Sequence, residues 1–476
     1  MVFNSIDFLL FFPVVYLLYL RINHKKQNIL LLVASYFFYG YWDYRFLSLL
    51  FLSTIIDYYA SISIEANWDN PQKKKYFLYL SIFSNLTILG FFKYFKFFVK
   101  SAVAGFSSIG IQVNEPVLNI ILPLGISFYT FQTMSYTIDV YRGDLKPTRN
   151  FLDFALFVTF FPQLVAGPIE RATNLLPQIL NPRTVTFEKV SQGSFLILFG
   201  LYKKVYIADN LATIVDPIFL QNPESIAART GAEAIIGCFA FLLQIYCDFA
   251  GYSDIARGIA KFMGVELIRN FNHPFFARDF NDFWRRWHTS FMNWLRDYVY
   301  VPLSKTNNSE FRNHVNMMIV FLLSGFWHGA NWTFIMWGFS LGVIASVYRI
   351  ARRLNPNKEV GERKNPGALT WIFHAILADA LVIFTCVFFR AEELSTGFIF
   401  WKKMFVEFGT IDPKILGKFF KLIIPLFLIE LYQFKKDNEF AFFELKTVYR
   451  VLFYLFLFYS IIIMGNNKNA FIYFVF

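Results

Sequence analysis

Charged residues are scarce in this 476-residue chain, and their scarcity excludes an ordinary soluble protein. They make up 16% of the sequence, whereas a soluble domain usually carries about a quarter. Apolar residues reach 56% and aromatic residues 21%, with 63 phenylalanines. A soluble protein of this length could not bury so much aromatic surface, but a bilayer tolerates an apolar outer surface. The composition therefore predicts an integral membrane protein.

Several signatures of other protein classes are missing from the sequence. The three cysteines, Cys238, Cys247 and Cys386, lie in apolar segments without CxxC spacing, so they indicate packing residues rather than disulfides or a metal site. There is no GxSxG motif of a serine hydrolase and no internal repeat of the kind found in many transporters. Residues 1–20 are apolar but lack a basic region and a cleavage site, so we expect no removable signal.

Basic residues outnumber acidic ones by 45 to 33, which gives a formal charge of +12. They lie mainly in short segments between apolar runs, as in the cytoplasmic loops of membrane proteins. This placement favours a role in topology and in contact with anionic lipid, and we expect no nucleic-acid partner. If the basic loops face the cytoplasm, the N-terminus faces outward and the loop at 349–368 is cytoplasmic.

Apolar runs of spanning length predict an all-α, polytopic integral membrane protein with about eleven transmembrane helices. Re-entrant or interfacial helices are expected beside them, around a central cavity. We expect a single domain over residues 1–476 with its core motifs in 150–340. The run 315–348 is long enough for one span plus a re-entrant piece. The predicted spans lie near residues 6–21, 29–42, 46–64, 76–98, 117–138, 151–167, 193–212, 232–250, 315–348, 369–390, 415–434 and 447–464.

The first candidate site segment is DFNDFWRRWHTSFMNWLRDYVY, residues 279–300. Its aromatic residues recur at steps of three and four, which predicts one helix with an aromatic stripe. His288 lies at the edge of that stripe. The pattern alone leaves two interpretations open, an amphipathic packing residue on an interfacial helix or a functional histidine.

The second candidate segment is SGFWHGANW, residues 324–332, within a long apolar run. An ionisable residue at membrane depth is costly, so His328 is a functional candidate. Neutral imidazole is accessible near pH 7 and can accept a proton. Gly325 and Gly329 would let a substrate or another backbone come close. The alternative is a structural histidine bonded to a neighbouring helix.

Two further segments carry weaker signals. In FPQLVAGPIER, residues 161–171, two prolines and a glycine mark a break in a helix, and Glu170 could pair with Arg171. In QIYCDFAGYSDIAR, residues 244–257, Asp248 would need a partner if it were buried. The simpler interpretation of Asp248 is a cap at the end of a span.

Taken together and in this order, four stretches resemble the membrane-bound O-acyltransferase superfamily. The nearest branch is the bacterial one that O-acetylates alginate and peptidoglycan, with the D-alanyl transferases of teichoic acid synthesis further off. The final residues FIYFVF also resemble that branch. One departure is Ser304, Lys305, Thr306 and Asn307, where the branch commonly has a Gly-Gly-Asn-Arg-like run. The stretches are FPQLVAGPIERA, YCDFAGYSDIARGIAKFMG, DFWRRWHTSFMNWLRDYVYVPL and SGFWHGANWTFIMWG.

The resemblance implies that His328 and His288 are the catalytic residues. His328 would act as a general base on a hydroxyl or hold the acyl group transiently. His288 would orient the substrate or polarise a carbonyl, and the two rings should meet in one cavity. We expect substrate contacts from neighbouring residues, namely Trp327, Asn331, Ser324, Trp284, Arg285 and Asp248.

The resemblance also implies the donor and the partners. Acetyl-CoA or another acyl thioester would be the donor substrate, with no permanently bound cofactor. Two histidines and scattered aspartates form no recognisable zinc pattern, so no metal is expected. An extracytoplasmic partner of the serine-hydrolase type would pass the acyl group to a polymer outside the bacterial inner membrane.

Two other function classes remain as alternatives. A transporter or flippase for a polysaccharide precursor or an acyl carrier would show charged residues along several spans and some repeat symmetry. Here the polar residues concentrate between 244 and 332. A non-catalytic scaffold would not require His328 inside an apolar run.

Overall fold

The computed structural model describes residues 1–114, 118, 120–219, 228–305, 309–354, 368–465 and 471, and this part of the chain is helical without strands. The basic loop predicted to be cytoplasmic lies largely outside the described residues, as do Thr306, Asn307 and most of the last ten residues. In chain order the α-helices are α1 (Ile6–Tyr19), α2 (His24–Asp43), α3 (Leu47–Ala66), α4 (Pro71–Leu89), α5 (Phe95–Ser108), α6 (Ile126–Arg142), α7 (Phe151–Thr159), α8 (Phe161–Leu164), α9 (Ala172–Leu180), α10 (Phe187–Leu201), α11 (Asp209–Phe219), α12 (Gly231–Phe262), α13 (Phe280–Arg286), α14 (Thr289–Leu295), α15 (Val301–Ser304), α16 (Glu310–His328), α17 (Trp332–Arg353), α18 (Ala368–Arg390), α19 (Leu394–Val406), α20 (Pro413–Lys436) and α21 (Thr447–Met464).

Five helical stretches are long and apolar enough to cross a membrane, which supports a membrane-embedded, all-helical architecture. The shorter apolar helices Ile6–Tyr19 and Thr447–Ile463 accompany them, and the total of about eleven spans stays a prediction. The five stretches are His24–Ala66, Pro71–Ser108, Gly231–Phe262, Trp332–Arg353 and Leu369–Arg390.

Side-chain caps fix where the helices of the second half begin. The Asp279 side chain accepts from the amide of Asp282 at 2.9 Å at the start of α13. The Ser309 hydroxyl accepts from the amide of Arg312 at 3.3 Å at the start of α16. Such caps satisfy amide groups that have no partner within the helix.

Two of the predicted spans begin or end elsewhere. The span predicted near 232–250 belongs to α12, which continues to Phe262, so Asp248 lies within a helix rather than capping one. The helix predicted near 117–138 begins only at Ile126, after Gly125 with φ 74°, a left-handed conformation that favours glycine.

The run 315–348 forms a hairpin of two helices, α16 and α17, of which α17 is long and apolar enough to cross a membrane. A Cβ added to Gly325 or Gly338 would overlap backbone atoms of the opposite helix, at Phe334 and Phe321 respectively. Glycine therefore allows α16 and α17 to pack with their backbones in close contact. The hairpin turns at residues 329–331, within the second candidate segment.

The chain divides into two compact units, and the expectation of one domain over 1–476 stays a prediction. One unit comprises residues 1–197 and 252–268. In it α3, α4 and α6 pack together around buried Asp57. The Asn85 amide donates to both carboxylate oxygens of Asp57 at 2.9 Å, and the Ser81 hydroxyl donates at 2.5 Å. The predicted break after α7 is present in this unit, since α8 is one turn long.

The other unit comprises residues 198–251 and 269–476 and contains both candidate histidines. Its N-terminal part includes a π-helical segment, Tyr202–Ala208, between α10 and α11. The α16–α17 hairpin packs with α18, and α13 contacts both α17 and α18. These contacts place the two histidine segments in the same part of this unit.

Candidate active site

His328 is the last residue of α16, at the turn of the hairpin. Gly329 follows with extended backbone, φ −157° and ψ 147°, and a Cβ there would overlap the Phe334 ring. Asn331 then caps the start of α17, because its side-chain oxygen accepts from the amide of Thr333 at 3.2 Å. The local sequence thus ends one helix at His328 and starts the next after three residues.

His288 lies in a break between α13 and α14, so the single continuous helix predicted for 279–300 is wrong. Trp287 has extended backbone, and His288 has φ 43° and ψ 52°, in the left-handed region. A non-glycine residue with positive φ is uncommon and is often found at functional sites. The helical stripe could not reveal this break, because the same aromatic spacing continues on both sides of it.

Hydrogen bonds from a second segment of the chain, residues 269–273, hold the turn at His288. The amide of Thr289 donates to the carbonyl of Asn270 at 2.8 Å, and the amide of Asn272 donates to the carbonyl of Arg286 at 2.9 Å. The Ser290 hydroxyl donates to the Asn270 side chain at 3.0 Å. We call residues 269–273 the cradle, because their backbone pairs with both sides of the turn.

The His288 ring is buried among aromatic rings. Its centroid lies 4.7 Å from Phe249, 5.0 Å from Phe291 and 5.8 Å from Trp327. Neither ring nitrogen has a hydrogen-bond partner among the residues that the structure describes. Burial lowers the pKa of His288 to about 3, so the imidazole is neutral at physiological pH. A neutral imidazole carries one N–H donor and one acceptor for a ligand.

His328 borders a small enclosed cavity of about 20 Å³. Its ring lies 5.3 Å from Trp337 and 5.1 Å from Phe389, centroid to centroid, and both aromatic rings also line the cavity. A volume of this order suits a single group of about the size of a water molecule. Trp284 and Cys386 complete much of the remaining wall.

The rings of the two histidines lie close together, with centroids 6.3 Å apart, but His288 is not among the residues that line the cavity at His328. Phe291 packs against both rings and stacks on Trp327 at 4.2 Å. The catalytic roles of His288 and His328 stay predictions.

Three other predicted site residues lie close to the histidines. Trp284 lines the cavity, and Trp327 packs on His288 at 5.8 Å. Ser324 is buried on α16, one turn before His328. Their contacts with substrate stay predictions.

The remaining three predicted residues have other surroundings. Asn331 caps α17 and donates to the carbonyl of Glu392 at 3.0 Å. Arg285 lies at the exposed surface of α13. Asp248 forms a buried ion pair with Lys204 at 2.8 Å, and Lys204 also pairs with Asp209 at 2.8 Å. None of the three lines the cavity at His328.

Sequence reasoning missed part of the cavity wall. Phe389 and Cys386 come from α18, a mainly apolar helix whose sequence does not mark these two positions as part of a site. Phe249, which packs on His288, was visible as the neighbour of Asp248 in the second of the four resembling stretches. A pattern of spacing cannot show which apolar residue of a buried helix faces a site.

The described residues include no group of three or more His, Cys, Asp or Glu side chains placed to hold a metal ion. The chemistry that the residues themselves offer is proton transfer and hydrogen bonding by two imidazoles among buried aromatic side chains. Low local polarity strengthens such interactions with a polar substrate group.

Comparison with known proteins agrees with this architecture. The sequence matches the membrane-bound O-acyltransferase family over residues 36–389. The probable alginate O-acetylase AlgI of Azotobacter vinelandii is 41% identical over 411 residues, which cover 86% of this chain and 79% of the relative. The peptidoglycan O-acetyltransferase of Helicobacter pylori is 34% identical over 81% of this chain and 76% of the relative. The teichoic acid D-alanyltransferase of Bacillus subtilis is 28% identical over 51% of this chain and 63% of the relative. The chain therefore belongs to the membrane-bound O-acyltransferase family and is an acyltransferase.

Proposed function

We propose that this acyltransferase takes an acetyl group from acetyl-CoA, or another acyl thioester, on the cytoplasmic side of the bacterial inner membrane. The acetyl group is then used to O-acetylate an extracytoplasmic polysaccharide or cell-wall polymer. The observation that carries the proposal is the 6.3 Å separation of the His288 and His328 rings within a buried aromatic enclosure.

His328 acts as the general base. It removes the proton of an acceptor hydroxyl, whose oxygen attacks the carbonyl carbon of the thioester. The carbon–sulfur bond then breaks, and the leaving thiolate takes the proton back from His328. General bases of this kind contribute about 10²–10⁴-fold to the rate.

His288 acts on the carbonyl. Because its imidazole is neutral and its nitrogens have no partner in the described part of the chain, its N–H can donate to the carbonyl oxygen. Negative charge develops on that oxygen during the attack, and a donor already in place stabilises it. The small cavity at His328, of about 20 Å³, is of the size of a small group such as the methyl of an acetyl donor.

The relatives support the choice of acceptor. Their names assign alginate to one relative, peptidoglycan to another and teichoic acid to a third, and all three are polymers outside the cytoplasmic membrane. We propose that this chain serves a polymer of the same class. It would pass the acyl group to an extracytoplasmic partner of the serine-hydrolase type.

The test is transfer by purified protein in lipid nanodiscs with radiolabelled acetyl-CoA and a soluble carbohydrate acceptor. Wild-type protein should form the labelled ester, and the His328→Ala protein should not. An assembled His328→Ala protein with wild-type transfer would contradict the proposal and favour a transporter.

A further inference from the structure

Two buried histidines share an unusual backbone conformation. Within the described residues, the non-glycine residues with positive φ are His273, His288 and Asp437, and Asp437 follows the end of α20. His273 has φ 50° and precedes Pro274, which further disfavours helical backbone angles. A strained conformation persists only where its surroundings hold it in place. Neighbouring residues must therefore hold His273 in this conformation.

Arg269 provides the first hold on His273. A guanidinium nitrogen of Arg269 lies 3.0 Å from Nε2 of His273. Arginine can only donate, so Nε2 accepts and the neutral imidazole carries its proton on Nδ1. Burial lowers the pKa of His273 below its ordinary value, although the nearby Glu430 carboxylate opposes this effect. The ring is therefore a neutral Nδ1–H tautomer.

Glu430 provides the second hold. The Nδ1 atom of His273 lies 4.0 Å from Oε2 of Glu430, which is an electrostatic contact beyond hydrogen-bond distance. Glu430 is buried on α20, where Lys203 lies 3.5 Å from its other oxygen and the Tyr246 hydroxyl donates to it. A buried carboxylate with these partners is a fixed point, because moving it would leave charges unpaired.

The cradle connects this fixed point to the His288 turn. His273 is the last residue of the cradle, and Asn270 and Asn272 make the backbone hydrogen bonds that clamp both sides of the turn. The Thr289 hydroxyl adds a bond to the carbonyl of Arg269 at 2.5 Å. Residues 269–273 therefore contact Glu430 through a side chain and the turn through the backbone.

We propose that the contact of His273 with Glu430 positions His288. This contact fixes the cradle against α20, and the cradle holds the strained backbone of His288. The backbone in turn orients the His288 ring toward the substrate. His273 and Glu430 are positioning residues and do not touch the reacting atoms. The inference rests on the proposed role of His288 in acyl transfer.

A second buried ionic cluster in the same unit provides a matched control. Lys204 pairs with Asp209 and Asp248, and none of these three residues belongs to the cradle. Asp209→Asn removes a buried charge, as Glu430→Gln does, without touching the support of His288. A merely structural role for Glu430 predicts the same behaviour from both variants.

The experiment measures kcat and the donor KM for Glu430→Gln and His273→Asn, each alone and combined with His288→Ala. Asparagine tolerates positive φ, so His273→Asn keeps the backbone and removes the ring contacts. We expect kcat to fall by about 10–100-fold with donor KM unchanged, as small misplacements of catalytic groups do. In the His288→Ala background neither substitution should lower kcat further, whereas Asp209→Asn should have the same effect in both backgrounds.

Equal fold-losses of Glu430→Gln with and without His288 would overturn the proposal, as would full activity of both variants. If the His288→Ala protein has no measurable rate, the proposal is tested instead by amide deuterium exchange of residues 284–292, measured in the His273→Asn and Asp209→Asn proteins. Faster exchange of these residues in His273→Asn, with wild-type exchange in Asp209→Asn, supports the positioning of His288 by His273. Wild-type exchange in His273→Asn overturns the proposal. If His288→Ala transfers acyl groups at the wild-type rate, the proposed role of His288 in transfer fails, and the deuterium exchange of residues 284–292 still shows whether His273 positions the turn.

Discussion

The His288 and His328 rings lie 6.3 Å apart. His288 lies in the break between α13 and α14, whereas His328 ends the first helix of the α16–α17 hairpin. Phe291 contacts both rings and keeps them from collapsing onto each other. The proposed transfer gives each of these two neighbouring histidines a distinct part.

His328→Ala should reduce acyl transfer by at least about 10²-fold, because the base is lost. His328→Gln keeps hydrogen-bonding capacity without basicity, so it should be equally inactive if His328 is a base. The assay is the acetyl content of the exported polymer, with the membrane-fraction protein level measured alongside. His374→Ala is the matched control, since His374 lies on α18 and bonds the carbonyl of Thr370. Normal acetylation by a stable His328→Ala protein would revive the transporter alternative.

His288→Ala should impair transfer less completely than His328→Ala. Water can replace part of the hydrogen bonding to a carbonyl oxygen, whereas it is a poor substitute for a positioned base. Steady-state kinetics in nanodiscs should show a lower kcat for His288→Ala with residual turnover. A His288→Ala rate equal to that of wild type would remove His288 from the mechanism.

Acid should destabilise the folded protein through His288. Its folded pKa is about 3, and the pKa of an unfolded histidine is about 6.5, so between these values the unfolded state binds the extra proton. Stability therefore falls as pH falls through this window, by about 1.4 kcal/mol for this group between pH 7.5 and 5.5. Thermal unfolding in detergent should show a smaller acid shift for His288→Phe than for wild type. Identical shifts in the two proteins would contradict the burial of a neutral imidazole.

Gly325→Ala should weaken the α16–α17 hairpin. The added Cβ would overlap the backbone carbonyl of Phe334, which cannot move aside. Overpacking of this kind costs about 1–3 kcal/mol. Gly417→Ala on α20 is the control, because nothing lies within 4 Å of its added Cβ. The unfolding temperature should fall for the first variant only, and equal temperatures would argue against close packing of the hairpin.

Asp248→Asn should lower stability rather than donor affinity. Its buried partner Lys204 would lose one of the two counter-charges described for it and keep Asp209, and breaking buried ion pairs costs about 3–5 kcal/mol. The donor KM of protein that does assemble should equal that of wild type. A raised KM at unchanged stability would instead support the substrate-contact role predicted from the sequence.

The sequence predicted the helical, membrane-embedded fold and the closeness of His288 and His328, whereas their catalytic roles stay predictions. Apolar length and scarce charge define membrane helices directly. A histidine within an apolar run is conspicuous because burial of an ionisable group is costly. His328 could therefore be singled out before its surroundings were known.

The break at His288 and the cavity wall could not be predicted in the same way. Helical periodicity reports which face of a segment is apolar, and Phe283 and Phe291 keep the same period across the break. The hydrogen bonds that create the turn come from Asn270 and Asn272, which pair with it only in three dimensions. The same limit applies to Glu430, whose importance depends on partners from distant helices.

The unpaired nitrogens of His288 have a consequence for selectivity. Because the ring is enclosed by aromatic side chains and bonded by no described residue, a substrate that presents an oxygen at this point satisfies a buried polar group. An analogue of the same shape with a methylene at that position would leave the imidazole unsatisfied in an apolar enclosure. Sites of this kind reject such analogues far more strongly than a purely apolar pocket rejects an extra methylene. The thioester carbonyl should thus be discriminated from a thioether mimic by the enclosure itself.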